Sequence, residues 1–312
     1  MSLHGTLRDS ALSGSALRDP ALPPHSASDA SAAHSVAKKP LRHRSVAAKR
    51  AAVNGRAANG LWLSIGTVII LVAVWWAVTA LQLISPLFLP APQQVLHQLR
   101  VIASAQGFMD ATLWQHLSAS LGRILVALFA AVALGVPTGI AMGLSRRVRA
   151  ILDPLIEIYR PVPPLAYLPL MVIWFGIGET SKILLIYLAI FAPVTLAAVA
   201  GVRSVAQVRV RAARALGASR WQVLRFVVLP SALPEILTGI RIGLGVGWST
   251  LVAAELIAAT RGLGFMVQSA GEFLATDVVI AGIGVIAIIA FGMELSLRAI
   301  QRRLTPWYGA QQ

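Results

Sequence analysis

The sequence predicts an all-α, polytopic membrane protein with six transmembrane helices, and three observations carry that expectation. Hydrophobic residues make up 57% of the 312 residues, charged residues only 12%, and mean hydropathy is +0.73. A soluble domain carries about 25% charged residues. Six apolar runs follow a polar start: Leu61–Ile84, Ala119–Leu144, Ile151–Phe175, Ile183–Val202, Ile236–Ala259 and Val278–Leu297. About 20 helical residues cross the ~30 Å hydrocarbon core, and each run suffices. The runs are continuously apolar rather than alternating, so helices and not barrel strands are the spanning form. Third, the basic residues collect in alternate connecting segments, as they do on the cytoplasmic side of membrane proteins.

Residues 1–60 are a different material, rich in Ala and Ser, with Pro20, Pro23, Pro24 and Pro40 and a basic stretch from Lys38 to Arg56. They read as a disordered basic cytoplasmic tail. A secretory signal would place a short apolar stretch near the start, and Asp9, Asp19 and Asp29 count against a transit peptide. The permease-like domain is then 61–308, with 309–312 a short C-terminal tail.

Orientation follows from the connectors. With the tail inside, segments 1–60, 145–150, 203–235 and 298–312 hold 21 of the 27 Lys and Arg residues, while segments 85–118, 176–182 and 260–277 hold only Arg100, Lys182 and Arg261. Both termini are therefore expected in the cytoplasm. The formal charge of +15 is accounted for by these loops, so a bilayer rather than nucleic acid is the expected partner.

In lipid, helices associate by close backbone packing rather than by hiding Leu from a solvent as apolar as itself. The second run carries Gly135, Gly139 and Gly143, and the fifth Gly239, Gly243 and Gly247, each triplet along one helix ridge. They predict tight helix–helix contact, within the chain or between two copies. Prolines interrupt three runs: Pro137 the second, Pro193 the fourth, and Pro161, Pro163, Pro164 and Pro169 the third. Each removes a backbone donor and leaves a carbonyl needing another partner. Such breaks are either static kinks or the lining of a pathway.

Ionisable groups at membrane depth are costly and mark function by default. Glu255 continues the glycine ridge of the fifth run, so it faces protein and either lines a path or pairs across a gate. Glu157 and Arg160 lie in the inner part of the third run. With Pro161 and Pro164, Arg160 and Glu255 are the pathway candidates. Arg241, at the inner end of the fifth run, either serves function or snorkels to the surface. In the last outer segment Gln268, Ser269 and Glu272 are candidates for contacts near an outer gate, against a plain solvated loop.

The segment after the fourth run is the most informative. Ser204 to Leu216 reads as an amphipathic helix bearing Arg209, Arg211 and Arg214. Gly217 suits a helix C-terminus because it tolerates left-handed dihedrals, Ser219 can cap a second short helix, and Leu229–Pro230 is expected to stop that helix before the fifth span. The pattern resembles the cytoplasmic signature of inner-membrane permeases of binding-protein-dependent ABC importers: Glu-Ala-Ala, three residues, Gly, nine residues, Ile, one residue, Leu-Pro. This chain supplies Ala212, Ala213, Gly217, Leu229 and Pro230 at that spacing. Val227 stands for the Ile, and Arg211 for the Glu, so an acidic contact there is not carried over. Residues 61–308 resemble the taurine-handling members of the branch that carries sulfonates, nitrate and related small anions.

The resemblance implies a type I importer core. A periplasmic taurine-binding protein would deliver cargo, two permease copies would form the pathway, and two ATPase subunits would bind the loop. Alkanesulfonate or nitrate as cargo is the alternative within the class. A self-contained channel or secondary transporter is the alternative outside it.

The sequence agrees that ATP would belong to a partner. A phosphate loop ends in Gly-Lys-Ser or Gly-Lys-Thr, and none of the four lysines here follows a Gly. "GIGVIA" at Gly282–Ala287 lies mid-span and lacks the strand a dinucleotide site needs. His97 and His116 are isolated and Cys is absent, so no metal, no cofactor and no enzymatic activity of the chain's own are expected.

Overall fold

The computed structural model describes residues 63 and 65–307, so the expected tails 1–60 and 309–312 lie outside the described residues. Among the described residues, regular structure is helical apart from a single bridge between Phe108 and Ala111. In chain order the helices are α1 (Ile65–Ala80), α2 (Pro92–Ala103), α3 (Leu113–Leu144), α4 (Arg146–Tyr159), a 3-10 turn (Pro164–Tyr167), α5 (Leu168–Phe175), α6 (Glu179–Arg203), α7 (Gln207–Ala215), α8 (Arg220–Val223), a π turn (Leu224–Val228), α9 (Leu229–Ala258), α10 (Leu263–Glu272) and α11 (Thr276–Leu304).

Among the described residues four helical stretches are long and apolar enough to cross a membrane: Leu113–Leu144, Glu179–Arg203, Arg220–Ile257 and Thr276–Leu304. Two shorter apolar helices, Ile65–Ala80 and Pro164–Phe175, account for the first and third runs. The first helix ends at Ala80, and the run's last residues form a turn in which Gln82 takes a left-handed φ of 51°. The third run does not form one spanning helix. Pro161 and Pro163 cannot donate to a helical ladder, so α4 stops at Tyr159 and helix resumes only at Pro164. Single prolines behave differently: α3 runs through Pro137 and α6 through Pro193.

α6 is the axis of the bundle. α3 packs on one side of it and α9 on another, and the largest buried cluster comes mostly from these three helices, including Ile124, Ala131, Ile186, Ile190, Val194, Ala198, Ile236 and Leu251. The glycine triplets are the contact points. A Cβ at Gly135 would lie 3.0 Å from Thr195 Oγ1, and one at Gly143 would lie 2.7 Å from Val202 Cβ. A Cβ at Gly139 would run into the Thr195 carbonyl and Ala198. From the α9 side, Gly239 abuts Ala197, and added carbons at Gly243 and Gly247 would come within 3.0 Å and 2.6 Å of the Ile190 side chain. Both triplets therefore serve contacts within the chain, by the close backbone approach that drives helix association in lipid.

One end of the bundle carries α7 and α8, and the other carries α10. At the α10 end, Val95 and Ile102 of α2, Leu263, Met266 and Ala270 of α10, and Val278 and Ala281 of α11 form a second buried cluster.

Candidate coupling hairpin and buried polar cluster

The signature segment folds as a helix–turn–helix at one end of the bundle. α7 ends in a Schellman turn: Ala218 N–H donates to Ala213 O at 3.1 Å and Gly217 N–H to Arg214 O at 2.9 Å. Gly217 sits at φ 86° with open space where a Cβ would be, so backbone conformation alone calls for glycine. Ser219 then caps α8 as expected. Its Oγ accepts from Gln222 N–H at 3.3 Å, while Gln222 Oε1 accepts from Ser219 N–H at 2.8 Å, closing a capping box.

Leu229–Pro230 does not stop the second helix, contrary to expectation. Leu229 N–H donates to Leu224 O, five residues back, and the chain stays helical from Arg220 to Ile257. The wide π turn makes room for a Pro230 that lacks a donor, so the hairpin is joined rigidly to the span α9.

Of the signature residues, Ala213 and Val227 pack partly buried against the main core, with Val223 and Val228 buried beside them. Ala212, Arg211 and Arg214 are exposed. Leu216 is 90% exposed and Phe226 68%. With Ala213, Gly217, Ala218 and Val227 they line a shallow groove of about 430 Å³ at the hairpin tip.

At the α10 end the structure gathers a polar cluster that sequence reading largely missed. Arg123 of α3 is 4% exposed and Glu255 of α9 is fully buried, and they meet at 2.6 Å. Arg123 also donates to Glu179 at the start of α6, through Nε at 2.6 Å and Nη2 at 2.8 Å, and to the Arg261 carbonyl at 2.8 Å. Glu255 accepts from Ser120 Oγ at 2.8 Å and from Gly264 N–H at 2.8 Å. Lys182 Nζ reaches Glu179 at 3.0 Å. His116 Nδ1 accepts from Gly262 N–H at 3.1 Å, which leaves Nε2 to donate to Phe108 O at 3.3 Å. The cluster thus binds α3, α6, α9 and the start of α10 together. Glu255 is fully buried among these partners. The signal for Arg123 was present: it is the single charge in a long apolar run.

The remaining candidates divide. Gln268, Ser269 and Glu272 are on helix α10 rather than in a loop: Gln268 bonds Glu272 on the exposed side at 3.1 Å, and Ser269 is turned inward and buried. The helix forms because Gly262 turns the chain back onto Glu255, at a φ of 141° open only to glycine. Arg241 is held by Glu294 of α11 at 2.5 Å and by Gln301 at 3.3 Å. Arg160 and Pro164 line a cavity of about 210 Å³ beside the middle of α6, with Pro161 exposed next to them. Among the described residues no group of His, Asp and Glu is arranged to hold a metal.

A helical bundle with several membrane-length helices and a terminal helix–turn–helix bearing this spacing is the framework of a membrane permease. Residues 131–306 match the family described as binding-protein-dependent transport system inner membrane component, and the chain belongs to that family. The taurine transport system permease protein TauC of Escherichia coli K12 is 80% identical over 250 residues, covering 80% of this chain and 91% of that protein. The putative aliphatic sulfonates transport permease protein SsuC of Escherichia coli K12 is 37% identical over 237 residues, covering 76% and 88%. Among solved structures, the MetNI methionine ABC transporter in an inward-facing conformation matches with TM-score 0.54 and 20% identity over 62% of this chain and 96% of that one. The fold is accordingly that of a type I ABC importer permease.

Proposed function

We propose that this chain is the transmembrane subunit of an ATP-driven importer that carries taurine across the cytoplasmic membrane. Two copies would form the pathway. A periplasmic binding protein would deliver taurine, and two separate ATPase subunits would bind and hydrolyse ATP. The chain itself holds no cofactor and performs no chemistry. Both termini lie in the cytoplasm, an orientation supported by the placement of 21 of 27 basic residues, and the α7–α8 hairpin then faces the ATPases.

The observation that carries the mechanism is the hairpin's attachment. Its tip exposes Leu216 and Phe226 for a partner, and its second arm runs unbroken into α9. A partner that moves the tip moves the span. Shifting a two-state equilibrium from 1:99 to 99:1 takes only about 5.5 kcal/mol of differential binding, which ATP-driven closure of a subunit pair can supply. The cargo is supported by the 80% identity to the Escherichia coli taurine permease.

The test is purification from membranes with its co-expressed ATPase and binding protein, followed by taurine uptake into proteoliposomes. Uptake that requires ATP and both partners is expected. Flux without ATP would make the chain a self-contained carrier. Preference for alkanesulfonate or nitrate over taurine would change the cargo and keep the class.

A further inference from the structure

The broken third run places three polar groups beside the middle of α6 without using them. α4 ends at Tyr159, and residues 160–163 leave the helix before the 3-10 turn begins at Pro164. The cavity this opens is lined by Tyr159, Arg160 and Tyr167 on one side and by Ala189, Ala192 and Pro193 of α6 on the other, with Val246 of α9 closing it. Ala192 lies close to the midpoint of the 25-residue α6. That helix is about 37 Å long at ~1.5 Å per residue, so the cavity lies about halfway along this candidate span.

The Arg160 side chain makes no hydrogen bond or ion pair among the described residues; its backbone N–H donates to Ile156 O at 3.0 Å. Glu157, one turn earlier, does not pair with it, and Tyr167 spends its hydroxyl on the Tyr159 carbonyl at 3.5 Å. Arg160 is exposed at the cavity's edge, and a permanent cation without a counter-charge within a broken membrane run is by default a functional-site candidate. The Tyr159 hydroxyl is shut into the wall with no partner, where a buried polar atom normally has one. On the opposite wall Pro193 has no N–H, which strips the Ala189 carbonyl of its helical donor. The wall therefore combines a cation, a spare hydroxyl donor and a freed acceptor in otherwise apolar surroundings.

From this arrangement we infer that the cavity is a transit subsite for a small sulfonate zwitterion, with Arg160 as the sulfonate anchor. The guanidinium pairs with sulfonate oxygens as it does with other oxyanions. The Tyr159 hydroxyl, closed into the wall here, is the second donor on that side once the wall yields to the solute, and the Ala189 carbonyl accepts from the ammonium group. About 210 Å³ admits a solute of taurine's size. The inference deepens the reading of the chain as a sulfonate permease and rests on it.

The test uses the assembled complex in proteoliposomes, with Arg160→Gln, Arg160→Lys and Tyr159→Phe. For Arg160→Gln, taurine uptake should fall by about tenfold or more, the worth of a charge-assisted contact. ATP hydrolysis stimulated by the taurine-loaded binding protein should persist, so that more ATP is spent per solute moved. Arg160→Lys should restore much of the uptake, and Tyr159→Phe should lose less than Arg160→Gln. Wild-type uptake by Arg160→Gln overturns the inference. So does a parallel loss of uptake and stimulated hydrolysis that Lys does not rescue, which assigns Arg160 to assembly. Failure of the underlying reading shows separately, as a wild-type complex that does not move taurine.

Discussion

Arg123 and Glu255 are 132 residues apart in sequence and meet at 2.6 Å, with neither side chain more than 4% exposed. The pair joins α3 to α9 and is completed by Glu179, Ser120 and the backbone of 261–264. Its worth is asymmetric. A buried pair offsets most of its own desolvation cost, whereas removing one partner strands the other charge and costs about 3–5 kcal/mol. Arg123→Met is therefore expected to lower the thermal midpoint of the purified chain severely, read by the fraction surviving heating in detergent. The double substitution Arg123→Met with Glu255→Met should lose less than the two single changes added together. Additive losses would mean that the two groups do not act as a pair.

The helical class, the hairpin and its glycine were legible because each depends on local pattern: apolar run length, cap residues and a fixed spacing. The intrachain role of the glycine triplets was only half legible, since ridge spacing names the contact face but not the neighbour, and Thr195 and Ile190 are far away in sequence. The polar cluster was hidden for the same reason. Arg123, Glu179 and Glu255 belong to three separate segments, and only packing brings them together. α10 was missed because the fold of 263–272 depends on Gly262 turning the chain and on a buried face against α11. The continuity of α8 with α9 was missed because Pro230 reads as a helix stop unless a π turn precedes it.

Gly262 is the narrowest point of the cluster. Its φ is 141°, and a Cβ there would lie 2.6 Å from both carboxylate oxygens of Glu255. Gly262→Ala therefore adds backbone strain of about 1–3 kcal/mol to a clash with a buried charge. The expected result is a sharp loss of folded protein. Gly271→Ala, on the same helix with nothing within 4 Å, should be nearly silent. The ratio of monodisperse protein recovered from membranes checks both.

The triplet on α3 makes a graded prediction. Gly139→Val would drive its side chain into the Thr195 carbonyl and Ala198 of α6, whereas Gly122→Val, on the same helix, meets open space. Overpacking of a tight contact costs about 1–3 kcal/mol. Heating in detergent should therefore separate the two variants, with Gly139→Val melting earlier and Gly122→Val near wild type. Equal stability would remove α6 as the partner of this ridge.

Gly217 separates a backbone requirement from a packing one. Nothing lies within 4 Å of its missing Cβ, so a larger side chain meets no obstacle, yet φ is 86°. A β-branched residue is strained there, while Asn tolerates the left-handed region. Gly217→Val should leave the core packing and the amount of protein in the membrane unchanged. Its effect should fall on the turn, where losing the Schellman geometry re-aims α7 against α8 and moves Leu216 away from Phe226. ATPase association, measured by co-purification, and ATP-dependent uptake should both drop, and Gly217→Asn should retain more of each than Gly217→Val. Because α8 continues into α9, a misdirected tip also weakens what reaches the span, so uptake should fall further than association. Val and Asn variants with equal, normal uptake would show that the turn's left-handed backbone is not what couples the hairpin to transport.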